Sequence, residues 1–201
     1  MKIFKFTIIL LGLSLFSCNQ SSKKNILVPD DKMQIENLVI TVYKWHDSDT
    51  SKNDMAMITD QKDSVYIGID LEKHKLRLIE LKKTNFFSDE FIENYNKIVL
   101  TIEKKLKNKE FEWNVGELPP FGSDTNPWCN CQDYPDANPW DKIEFKFISL
   151  DKENATLTWT WGNPEWSKDF NYKVQSKKIN GTWQIVYLQG FDFDESTRKN
   201  Y

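Results

Sequence analysis

The sequence predicts an α+β fold in which N-terminal helices pack on a curved four-stranded antiparallel sheet, and three features predict it. Apolar residues recur at three- and four-residue spacing along two N-terminal stretches, 31–46 and 88–108. Beyond residue 142 the apolar period drops to two, the mark of half-buried strands. Asn180-Gly181 is a strong two-residue hairpin signal between two such strands.

Pro29-Asp30-Asp31 starts the first helix, with acids at the positive end of the helix dipole. Ile35, Leu38, Val39 and Val42, with Trp45 or His46, form its apolar stripe, and Asp47-Ser48-Asp49 ends it. Ser64–Ile69 reads as a short strand. Asp70 caps a helix over 71–82, with Leu71, His74 or Lys75, Leu78 and Leu81 on one side, and His74 among lysines reads as solvated. Ser88 caps the best helix, striped by Phe91, Ile92, Tyr95, Ile98, Val99, Ile102 and Leu106 and ending in lysines. Ile143, Phe145 and Phe147 open the sheet. Leu157, Trp159 and Trp161 follow, then Phe170, Tyr172 and Val174, then Trp183, Ile185 and Tyr187. One face of this meander must be covered, and the helices 31–46 and 88–108 are the available cover.

Between helices and sheet, residues 110–141 carry Pro119-Pro120, Asn126-Pro127, Tyr134-Pro135 and Asn138-Pro139, which exclude regular structure. A loop of this length inside a domain is more often functional than not. Its Cys129-Asn130-Cys131 leaves four readings open: a disulfide, buried free thiols, a metal site completed by His46 and His74, or a redox pair. Asp124, Asp133, Asp136 and Asp141 supply oxygen ligands without a calcium-loop order, so no metal is assigned. Aromatic residues in and around the loop are the candidate ligand or partner surface: Trp113, Trp128, Tyr134, Trp140, Trp161 and Trp166. The one acid–base cluster is His46 with Asp47 and Asp49 in the turn after the first helix.

Composition excludes several function classes. With 27 basic and 30 acidic residues, and with Arg77 and Arg198 as the only arginines, no field attracts phosphates, so nucleic acid is not an expected partner. No nucleophile elbow or glycine-rich phosphate loop occurs, and no cofactor is implied.

At the N-terminus, Lys2 and Lys5 precede the uncharged run Phe6–Phe16, the size of a signal-peptide core and too short to span a bilayer. The run ends in Leu15-Phe16-Ser17-Cys18, which resembles the lipobox of bacterial lipoproteins, with Phe16 departing from the usual small residue. The resemblance implies cleavage before Cys18, acylation of its thiol and a lipid anchor in the membrane. Asn19 in place of aspartate implies the outer membrane, with the protein facing the periplasm or the cell surface. The expected organisation is then a signal peptide over 1–17, a lipidated tether over 18–29, one α+β domain over 30–194 and a tail over 195–201.

Val42-Tyr43-Lys44-Trp45, Asp133-Tyr134 and Asn180-Gly181-Thr182-Trp183-Gln184-Ile185 stand in an order that resembles the nuclear-transport-factor-2-like (cystatin-like) cone, as built into small bacterial lipoproteins of unknown function. That shape has hosted enzymes, ligand cups and structural partners, so it implies a fold and little function. Three readings follow. The first is a binding module for a protein or a small apolar ligand, with an immunity-like inhibitor as a subtype. The second is a cone-fold hydrolase or isomerase with His46 as base and Asp47 orienting it. The third is an envelope component that forms a homodimer through its sheet face.

Overall fold

Helix α1 spans Pro29–Ser48, two residues beyond the sequence expectation at each end, and begins a computed structural model that describes residues 29–48, 54–123, 125–133, 135–162 and 170–199. The expected signal peptide and tether lie outside the described residues, as do Tyr134, Trp166 and Asp49. The order continues β1 (Met57–Thr59), β2 (Tyr66–Ile69), α2 (Leu71–Thr84), α3 (Asp89–Lys107), β3 (Glu144–Leu150), β4 (Asn154–Thr160), β5 (Tyr172–Ile179), β6 (Thr182–Leu188) and α4 (Phe193–Thr197).

The four late strands form one antiparallel sheet in the order β3-β4-β5-β6, as the alternation requires. Phe145 pairs with Trp159, and Trp159 with Tyr172, so a row of rings crosses the inner face. Helices α1 and α3 cover that face: Ile35, Val39 and Val42 from one and Phe91, Ile98, Val99 and Ile102 from the other are buried against it. Asp31 in the first turn of α1 accepts from Lys178 Nζ at 2.5 Å and Trp183 Nε1 at 3.0 Å, which fastens α1 to the β5–β6 hairpin. The β6 edge is closed by the segment before α3. Ser88 N donates to Ile185 O and Ile185 N to Phe86 O, both in a parallel bridge.

Strand β6 departs from the expected alternation. Its register with β5 shifts between Gln175 and Ser176, leaving Val186 as an extra residue. The shift turns Leu188 into the core, fully buried, and leaves Tyr187 half-buried on the other side. A second bulge puts Ile148 of β3 in solvent.

Two expectations about α2 are also overturned. His74 is buried instead of solvated, and the helix presents His74, Arg77 and Leu81 inward, with Leu71 and Leu78 at the margins. Asp70 caps it as expected, accepting from Glu72 N and Lys73 N. The short strand β1, which pairs with β2 through Met57 and Ile69, carries no alternation long enough to be read from sequence. Glu103 of α3 accepts from Ile69 N, and this buried carboxylate holds β2 against α3. Residues 195–199, expected as a tail, are packed: α4 runs to Thr197, and Lys199 bridges to Phe121.

Candidate functional site

The Trp-rich loop folds inward. Trp113, Trp128, Trp140 and Trp161, the described members of the candidate ligand or partner surface, are all buried, at 9% exposure or less. Trp140 stacks on Tyr43 with ring centroids 4.5 Å apart, and Trp159 Nε1 donates to the Tyr43 hydroxyl. Trp161 sits edge-on to Trp159 and stacked with Phe170. Rings from α1, the loop and the sheet thus pack together under α1. Trp161 and Trp140 each border a shallow surface depression, the first beside Asp133 and Asp136, the second beside Asp47 and Asp141.

Cys129 and Cys131 form a disulfide, with Cα atoms 5.1 Å apart and both residues buried. The bridge closes a tight turn in which Asn130 adopts a positive φ of 50° and Asn126 N donates to Cys131 O. Among the described residues, no three His, Cys, Asp or Glu side chains converge on a metal position.

His46 lies in the last turn of α1 and is also buried, not in an open turn. Its nearest carboxylate is Asp54, which the sequence reading missed: Asp54 Oδ2 is 3.6 Å from Nε2, whereas Asp47 Oδ1 is 3.9 Å from Nδ1. Asp47 is held by Trp140 Nε1. Asp54 is the hub of a buried polar cluster. It accepts from Arg77 Nε at 2.8 Å, Trp128 Nε1 at 2.7 Å and Tyr95 Oη at 3.2 Å. Burial raises its pKa, but the His46 imidazole, the Arg77 charge and the Trp128 and Arg77 hydrogen bonds outweigh this and hold it at about 2. Arg77 lies over the Trp45 ring at 5.0 Å, and the His46 ring lies tilted by 32° against Trp128 at 4.2 Å. Burial lowers the His74 pKa, opposed by Asn96, whose Oδ1 is 3.0 Å from Nε2, and by the Asp54 charge. No local pattern marks Asp54, because its four partners come from α1, α2, α3 and the loop.

One wall of this cluster is shared with a cavity of ≈ 310 Å³. Tyr95, Ile98 and Ile102 of α3 form the floor. Loop residues Phe121, Gly122, Thr125 and Pro127 are in one wall, and Gly190, Phe191 and Ser196 are in the other. The two walls meet through Tyr172, whose hydroxyl donates to Pro127 O at 2.8 Å and accepts from Gly190 N at 3.1 Å. Gly190 is required by proximity: a Cβ there would stand 1.9 Å from Pro127 O. The cavity is at the low end of the ~300–1,000 Å³ typical of small-molecule sites, and it is mostly apolar with a polar rim, as such sites are. Of the residues singled out from sequence, His46, Asp47, Trp113, Trp128, Trp140 and Trp161 do not line it; Tyr95, Ile98 and Ile102 do. Their signal was ambiguous, since each also reads as ordinary core.

No known protein family, curated protein or solved structure matches this chain.

Proposed function

We propose that the chain is a lipid-anchored envelope protein that binds a small apolar ligand in the cavity between α3, the 119–130 loop and the C-terminal segment. The observation that carries the reading is that cavity, whose floor and walls are Tyr95, Ile98, Ile102, Phe121 and Phe191. A ligand is favoured over a flat protein interface because the tryptophans that would anchor a protein partner are turned inward. The enzyme reading loses support for a related reason. His46 is buried against Trp128, its two nitrogens face carboxylates, and it does not line the cavity.

The anchor rests on Leu15-Phe16-Ser17-Cys18 and the apolar run before it, and Asn19 favours the outer membrane. Acyl chains at Cys18 add about 0.8 kcal/mol per buried methylene, enough together for stable anchoring. The order of helices, loop and antiparallel meander resembles that of the nuclear-transport-factor-2-like cone, and that resemblance supports taking the cone as the framework. Two measurements test the proposal. Metabolic labelling with an alkyne fatty acid must tag the wild-type chain in the membrane fraction and leave Cys18→Ala unlabelled. The neutral dye N-phenyl-1-naphthylamine must bind the full chain in nanodiscs more than it binds Thr125→Trp, which fills the cavity mouth. Equal labelling, or equal dye binding, rejects the corresponding half.

A further inference from the structure

We infer that the cavity is selective for uncharged ligands and rejects both carboxylates and ammonium ions of the same skeleton, an inference that rests on reading the cavity as the ligand site. Among the described residues that line it, none is Lys, Arg or His, so nothing there neutralises an anion. Among the described residues the single lining carboxylate is Glu195, already paired with Arg198, whose Nη1 donates to it at 3.0 Å. An ammonium ligand would therefore compete with an existing guanidinium partner.

The lining hydroxyls and side-chain carbonyls are engaged in the same way. Ser123 Oγ and Thr125 Oγ1 are 2.6 Å apart, and Thr125 Oγ1 donates to Asn130 Oδ1 at 3.1 Å. Ser196 Oγ donates to Gly190 O, and Gln189 Oε1 accepts from Lys173 N. The phenol of Tyr95 turns its hydroxyl out of the cavity toward Asp54 and leaves ring surface for the ligand. With no basic side chain in the wall, a carboxylate meets no counter-charge there, and either ion loses its hydration on entry. An uncharged aromatic or alicyclic molecule keeps its contacts with the rings and aliphatic side chains and has no charge to desolvate.

The test uses the full chain in nanodiscs and three compact probes on one skeleton: 2-naphthylmethanol, 2-naphthoate and 2-naphthylmethylammonium. Binding is taken as the difference in titration between wild type and Thr125→Trp, which subtracts partition into lipid. Ser123→Trp, at an exposed lining position, is the second blocking variant in case the first perturbs folding. The expected result is binding of the alcohol, blocked by both variants, with each ion at least about tenfold weaker. If either ion binds as tightly as the alcohol or tighter, neutral selectivity is overturned while the cavity remains a ligand site. If no probe distinguishes wild type from the blocked variants, the ligand-site reading itself fails.

Discussion

Trp128 Nε1 donates to Asp54 Oδ2 at 2.7 Å, and this bond ties the proline-rich loop to the turn that follows the first helix. Trp128 also packs edge-on against Phe191 of the C-terminal segment, at 5.1 Å between centroids. The polar cluster and the apolar cavity are thus built on the same loop, and loss of one disturbs the other.

Asp54→Asn should destabilise the protein by about 3 kcal/mol, because it leaves the buried Arg77 guanidinium without its main counter-charge. The same carboxyl gives an acid-side dependence. Its pKa falls on folding, from 3.8 to about 2, so its contribution is complete above pH ~5 and lost as pH drops toward 2. That contribution is about 2 kcal/mol. Urea unfolding at a series of pH values should show this loss in the wild type and lack it in Asp54→Asn.

His74 acts in a higher pH range. Its pKa is lowered by burial, so the unfolded chain takes up the proton first as pH falls below ~6.5. Stability should therefore decline from pH ~6.5 downward, and His74→Gln should remove that part of the slope. An unchanged slope between pH 6.5 and 5 in the variant would exclude His74 as its source.

Gly190→Ala should cost more than about 2 kcal/mol, although it adds one methyl group. The methyl would collide with the Pro127 carbonyl and part the two cavity walls that Tyr172 joins. Thermal unfolding reads the cost, and dye binding should fall with it.

Leu188→Ala should cost about 2–4 kcal/mol and Tyr187→Ala less than about 1. Strict alternation along β6 demands the opposite order, since it would place Tyr187 inside. The pair of unfolding midpoints therefore tests the bulge at Val186 directly.

Replacing both Cys129 and Cys131 with serine should cost about 1.5 kcal/mol, because the bridge closes a loop of three residues and constrains the unfolded chain little. The variant should remain folded, and wild type treated with a dithiol reductant should match it in denaturant midpoint. Global unfolding of either would show a larger role for the bridge.

Much of this molecule was written locally. The apolar stripes of α1 and α3, the Ser88 and Asp70 caps, the four strands and the Asn180-Gly181 turn are each set by spacing along the chain, and they stand where spacing puts them except past the bulges at Ile148 and Val186. The arrangement of α1 and α3 over the sheet follows because an apolar strand face must be covered. The candidate site was not written this way. Asp54 gains its meaning from His46, Arg77, Tyr95 and Trp128, which are remote in sequence. His74 reads as a solvent residue until the Asp54 carboxylate and the buried Arg77 give α2 a polar inner face. The tryptophans could be core or surface with equal chemical sense, and only packing decided for core. Periodicity reports which side of an element is apolar. Which buried charges meet, and where the walls leave a gap, depends on contacts that only the assembled chain makes.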